Sequence, residues 1–252
     1  MAFEVFNRTE KKYILTDEVF QKLKAGLEEY MVADAFSRNG EFYTICNIYY
    51  DTPDHQIIRN SIEKPLYKEK LRLRSYGTVG SKDKVYLEIK KKFNGYVNKR
   101  RCSLLLEEAS RYIETGKRPE GKKPSSEQVW NEIDFMLERY PGLAPSLYLS
   151  YDRIAMFSRE DRDFRITFDT NIRTRREVLG LDKGNYGELL LPQGVWIMEA
   201  KTNHAVPFWF SRLLSEYRIF PKNFSKYGEE YCRAFKRGEL NQRQDEEERK
   251  CV

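Results

Sequence analysis

The stretch KEKLRLRSYG, residues 68 to 77, sets Lys70, Arg72 and Arg74 two residues apart with Leu71 and Leu73 between them. Alternation of this kind is the period of a half-buried strand, so the three cations share one face and the leucines the other. Like charges in a row repel one another and need water, carboxylates or an anionic ligand as company. The same parity sorts other runs. In KVYLEIKKK, Tyr86, Glu88, Lys90 and Lys92 stand opposite Val85, Leu87 and Ile89, and Lys91 points away from its neighbours. In YVNKRRCSL, Lys99, Arg101 and Ser103 fall together, and in FRITFD, Arg165, Thr167 and Asp169 oppose Phe164, Ile166 and Phe168. In VWIMEAK, Glu199 and Lys201 share a face.

An ordinary solvated sheet alternates in the same way. Solvent faces, however, mix Thr, Ser, Glu and Lys, whereas these favour Arg and Lys with few carboxylates. A sheet closed into a barrel offers the other arrangement, with apolar faces outward against helices and charged faces lining a lumen. Such a lumen is stable when a polyanion fills it, because Arg–phosphate contacts are charge-assisted and often bidentate. The few carboxylates would then hold a divalent cation.

The elements that must carry these strands are legible in outline. TDEVFQKLKAGLEEYM, residues 16 to 31, reads as an amphipathic helix with Thr16 as N-cap. YTICNIYYDTP reads as a strand ending at Pro53, and a break at Gly95 separates two strands as a hairpin would. Residues 125 to 142 read as a helix with a serine cap and a Pro141-Gly142 stop. Three strands follow, SLYLSYDRIAMFS, FRITFDTNIRTRRE and VWIMEAKTN, with a partial hairpin between the last two. PFWFSRLLSEYRI and FSKYGEEYCRAFKRG read as closing helices, and residues 239 to 252 as a charged, disordered tail. Many strands with a few helices argue for an α+β fold on an antiparallel sheet or barrel.

The 252 residues suffice for a large core, and 45 Lys+Arg against 39 Asp+Glu leave a net charge of +6, which hints at an anionic partner. There is no secretory leader and no apolar run of membrane-spanning length, so the expected location is the cytoplasm. The four cysteines lack metal or CxxC spacing and read as ordinary thiols. Two histidines, His55 and His204, leave little material for a histidine-based metal site or a serine–histidine triad.

The runs RTEKKY (8–13), LRLR (71–74), LEIKKK (87–92), SYDR (150–153), FRITFDT (164–170), MEAK (198–201) and FSKY (224–227) resemble the signature elements of the VTC-type polyphosphate polymerase domain. That domain is a branch of the triphosphate tunnel metalloenzyme superfamily, which includes the CYTH proteins. The resemblance runs in order from about residue 3 to about 236. It implies a closed antiparallel β-barrel, a basic tunnel, with helices packed outside, as a single domain over residues 1 to 238. It also implies transfer of the ATP γ-phosphate to a growing inorganic polyphosphate chain, assisted by Mn²⁺ or Mg²⁺.

Carried over motif by motif, the catalytic residues would be Lys12, Arg72 and Arg74. The substrate-binding residues would be Arg8, Glu10, Lys90, Lys99, Arg101, Arg153, Arg165, Lys201 and Lys226, and the metal ligands Glu199 and Glu88. CYTH hydrolases open with Glu-x-Glu-x-Lys, and here Arg8 takes the place of the first Glu, as in the VTC-type branch. That exchange moves the metal role toward Glu199 and favours a polymerase over a triphosphatase. The chain resembles the stand-alone bacterial form, without the extra domains of eukaryotic relatives. The implied partners are ATP and inorganic polyphosphate, with an association with a membrane protein left open and no obligate nucleic acid. A tunnel triphosphatase, an adenylate cyclase, a polyphosphate sensor and a single-stranded nucleic-acid binding module remain the competing readings.

Overall fold

The computed structural model describes residues 9–37, 41–94, 96–120 and 127–240. Arg8, the break at Gly95, the serine cap at 125–126 and tail residues 241–252 lie outside the described residues. In chain order the elements are β1 (Thr9–Thr16), α1 (Asp17–Leu27), β2 (Met31–Ala33), β3 (Tyr43–Asp51), α2 (Gln56–Ile62), β4 (Tyr67–Tyr76), β5 (Lys84–Phe93), β6 (Tyr96–Leu105), α3 (Leu106–Thr115), α4 (Glu127–Arg139), β7 (Ala144–Ser158), β8 (Arg165–Arg175), β9 (Glu188–Leu189), β10 (Val195–Thr202), α5 (Phe208–Glu216) and α6 (Lys226–Lys236). None of the described helices is long and apolar enough to cross a membrane. The residues group into two compact units: 1–44, 151–172 and 189–224 form the first, and 45–150, 173–188 and 225–252 the second.

In the first unit the strands lie in the order β1-β10-β8-β7, with β2 also on β7. The antiparallel register sets Lys12 opposite Glu199 and Glu199 opposite Thr167, with Glu10, Lys201 and Arg165 forming the next row. The intervening residues, among them Tyr13, Leu15, Ile166, Phe168 and Met198, are buried with Phe20, Leu23 and Leu27 of α1 and Phe210 and Leu213 of α5. Phe20 stacks on Trp196 at 3.6 Å between ring centroids. The Thr16 hydroxyl caps α1 by accepting from the Val19 amide. The helix expected to reach residue 31 stops at Leu27, because Met31–Ala33 pairs with β7 and a ladder overrides local helix preference.

In the second unit the order is β7-β3-β4-β5-β6. Its apolar face carries Cys46, Ile48, Leu71, Leu73, Val85, Leu87, Ile89, Cys102 and Leu104, covered by Ala109 and Tyr112 of α3 and Trp130, Ile133 and Met136 of α4. On that helix-covered side Lys91 and Arg100 pair with Glu132 of α4 at 2.9 and 3.1 Å. Two helices here were not expected from the sequence. α2 is held by the buried Asp51 carboxylate, which accepts from the amides of Ile57 and Ile58. α3 is closed by Glu108, which accepts from the Leu105 amide. Both caps satisfy amides that a helix start leaves without partners. Neither β1 nor β6 has a second ladder partner among the described residues.

Candidate phosphate-binding site

Each unit presents one charged sheet face. In the second unit the rows are Asn47–Arg74–Tyr86–Ser103, Tyr49–Arg72–Glu88–Arg101 and Lys70–Lys90–Lys99. The middle of this face is organised by Glu88, whose side chain is 1% exposed. Arg72 Nε donates to Glu88 Oε2 at 2.7 Å, Lys99 Nζ lies 2.6 Å from Oε1, and Arg74 Nε lies 3.7 Å from Oε2. Burial alone would push this carboxyl up, but Arg72, Arg74 and Lys99 outweigh it and hold it at about 2. Lys99 feels the reverse. Burial, aided by the two guanidiniums and opposed by Glu88, pulls its ammonium down to about 7.

The two arginines are also fixed from the side. Arg74 Nε donates to Asn47 Oδ1 at 3.0 Å, Asn47 Nδ2 donates to the Leu149 carbonyl, and Arg72 Nη1 donates to the Tyr49 hydroxyl at 3.3 Å. Arg101, more exposed, lies over the Tyr86 ring at 4.8 Å. Lys90 sits between Lys70 and Lys99 in register.

Lys226 is the first residue of α6, just after the Ser225 cap. The start of that helix lies on the charged face. Lys70 Nζ is 3.4 Å from Ser225 Oγ and 5.4 Å from the Tyr227 ring centroid, and Tyr227 packs on Tyr49. The Tyr227 hydroxyl in turn donates to Asp51 at 2.8 Å.

In the first unit Lys12, Glu10, Glu199 and Lys201 form one alternating cluster. Lys12 Nζ is 3.5 Å from Glu199 and 3.7 Å from Glu10, and Lys201 Nζ is 2.9 Å from Glu199 and 3.5 Å from Glu10. Lys12 also donates to the Phe224 carbonyl at 2.9 Å. Arg153 is buried and bidentate on Asp169, at 2.6 and 2.8 Å. Burial works against its charge, yet Asp169 overrides this and raises the guanidinium further above its ordinary range. Arg165 reaches Asp34 at 3.4 Å and lies over the Phe157 ring.

A divalent cation fits one of these two places better than the other. Among the described residues no three carboxylate, histidine or cysteine side chains come together. Mg²⁺ and its kin, however, are commonly held by one or two carboxylates plus substrate phosphates. Glu10 and Glu199 supply two such hard oxygen donors. The buried Thr167 hydroxyl, cross-strand neighbour of Glu199, has no hydrogen-bond partner among the described residues. Glu88 is instead already matched by three cations.

Several residues of the two faces were not singled out from the sequence. Asn47 and Tyr49 alternate with Cys46, Ile48 and Tyr50 in YTICNIYYD, so the parity rule alone would have found them. Asp34 carries no such signal, because it lies in a turn after β2 and meets Arg165 only through the fold.

The profile of the VTC domain matches residues 7–235. No curated protein matches the chain. Among solved structures, a Bacillus halodurans protein provisionally named adenylate cyclase has a TM-score of 0.52 at 16% identity, covering 86% of this chain and 92% of that one. A Hippeastrum protein, provisionally named adenylyl cyclase and described as having a dominant triphosphatase activity, has a TM-score of 0.52 at 14% identity, covering 94% and 99%. At this identity the likeness shows the fold, and it is the tunnel fold expected from the sequence, an antiparallel sheet with helices. With nine-tenths of its length matched in order by one profile, the chain belongs to the VTC domain family.

Proposed function

We propose that this chain is a metal-dependent polyphosphate polymerase that transfers the γ-phosphate of ATP to a growing inorganic polyphosphate chain. The observation that supports this most is the convergence of Arg72, Arg74 and Lys99 on the single buried carboxylate of Glu88. One carboxylate orders three cations without neutralising them, and a polyphosphate supplies the charge that is missing. The attacking group is a terminal phosphate oxygen, already anionic near neutral pH, so no side-chain base is required. Two polyanions at contact repel strongly. The protein's task is to align them and to offset charge on the transferred phosphoryl group.

In this reading Arg72 and Arg74 grip the triphosphate in orientations pre-set by Glu88 and Asn47. Lys12 contacts the transferred phosphate. Lys90, Lys99, Arg101, Arg153, Arg165, Lys201 and Lys226 line the path of the chain, with Arg153 held by Asp169. Glu199, joined by Glu10, would hold Mn²⁺ or Mg²⁺, and Glu88 orders cations instead. When bound, the metal would supply positive charge that offsets the charge of the phosphates. The cytoplasm, where ATP is abundant, is the setting this reading requires.

The test is conversion of ATP to acid-insoluble polyphosphate with stoichiometric ADP, in Mn²⁺ or Mg²⁺. Arg72→Ala should lower the rate at least about 10²-fold, the scale of losing one preorganised charge donor. Wild-type rates of polymer formation in that variant, or no polymer from wild type, would sink the proposal. A second reading makes water the acceptor. It is favoured by the Glu10–Glu199 carboxylate pair and by the triphosphatase activity of the Hippeastrum protein. Orthophosphate in place of polymer would establish it.

A further inference from the structure

The charged face of the second unit does not end at Arg72. β4 continues through Lys70 to Lys68, β5 continues through Lys90 to Lys92, and Lys68 and Lys92 are direct cross-strand partners. Side chains two residues apart share a face, so Lys68 and Lys92 lie on the same side as Arg72 and Glu88. Lys64, in a left-handed conformation at φ 55°, stands just ahead of the strand. Burial, then Lys92, then Lys64 all depress the Lys68 ammonium. Lys68 donates to the Ser61 carbonyl at 3.2 Å.

What is missing here is a carboxylate. Lys64, Lys68 and Lys92 have no ion-pair partner among the described residues. Glu69, next to Lys68 in sequence, points to the opposite face and is held by the hydroxyls of Tyr67 and Tyr140. Elsewhere on the same strands carboxylates do meet several cations, with Glu132 serving Lys91 and Arg100 and Glu88 serving Arg72 and Lys99. Like charges directly opposite on paired strands destabilise the pair. Three ammoniums that no carboxylate meets, two of them directly opposite on paired strands, therefore mark a place where charge arrives from outside the chain.

We propose that Lys64, Lys68 and Lys92 form a distal anion subsite that holds the far part of a polyphosphate chain whose near end is gripped at Arg72 and Arg74. This rests on the phosphate-binding reading of that face. Arg72 and Lys68 are four residue steps apart along the strand, a span of about 13 Å. A triphosphate gripped at Arg72 does not cover that span, whereas a longer chain does. The subsite therefore distinguishes polymer from triphosphate, and it has a use in a polymerase that it lacks in a triphosphatase.

The experiment compares binding of tripolyphosphate and of long-chain polyphosphate to the full chain by calorimetry at fixed salt. The proteins are wild type, Lys68→Gln/Lys92→Gln, and Lys64→Gln/Lys92→Gln, which leaves the half-buried Lys68 in place. Both double variants should bind the long chain about tenfold more weakly, with a shallower salt dependence, and bind tripolyphosphate as wild type does. Melting temperatures identify a misfolded protein, and if Lys68→Gln unfolds the chain the second variant carries the test. Unchanged long-chain binding, or an equal loss for both ligands, overturns the subsite. A wild-type protein that binds neither ligand overturns the phosphate-binding reading itself, and the subsite with it.

Discussion

Glu88 is the residue on which the second unit's electrostatics turn. Its carboxyl is held at about 2, below its ordinary 4.5, because three cations outweigh the effect of burial. A carboxylate with a depressed folded-state value contributes stability above its ordinary range and loses it as pH falls toward the folded value. Acid unfolding should therefore show a loss of about 3 kcal/mol between about pH 4.5 and 2 that is absent in Glu88→Gln, read from denaturant midpoints at stepped pH. A parallel acid profile in the variant would remove Glu88 from this role. Lys99 bears the opposite sign. Its ammonium is pulled down to about 7, so above that pH the free protein holds it largely neutral. A phosphate arriving beside it favours the charged form. Binding at pH 8 should take up protons, at pH 6 it should take up none from Lys99, and affinity should fall as pH rises past 7. Calorimetry in buffers of different ionisation enthalpy measures this directly, and Lys99→Gln should abolish the uptake.

At the scale of elements, β7 and β8 meet at the bidentate Arg153–Asp169 pair. Both groups are buried, so removing one partner leaves the other charged and unsatisfied, a loss of about 3–5 kcal/mol. Asp169→Asn keeps the shape and removes the charge. It should lower the melting temperature clearly, and a variant as stable as wild type would show that Arg153 finds compensation elsewhere. This pair also shows how far the sequence could be read. Alternation in FRITFD is a local signal, and it sets Arg165, Thr167 and Asp169 opposite Phe164, Ile166 and Phe168, which are the residues in the core. Which carboxylate meets which guanidinium depends on neighbouring strands, which no local pattern encodes. The same division explains the helices. α1 announces itself by periodicity and its Thr16 cap, whereas α2 depends on the buried Asp51 and the end of α1 on a ladder to β7.

For the molecule as a whole, a net charge of +6 makes copies of the chain repel one another. One further trait follows from the strands having two such different sides. Cys46 and Cys102 lie on the helix-covered side of β3 and β6, and burial pushes both thiols up, Cys102 to about 12. Neither can react with an alkylating reagent until its strand lets go of the helices, so each serves as an internal clock of local opening. If condensed phosphate ties the opposite side of those same strands together, its addition should slow labelling of Cys46 and Cys102, followed by mass spectrometry. Labelling at an unchanged rate in saturating polyphosphate would mean that the anion leaves these strands as loose as it found them. The chain thus carries, in two silent sulfurs, a chemical stopwatch for events on a surface they never touch.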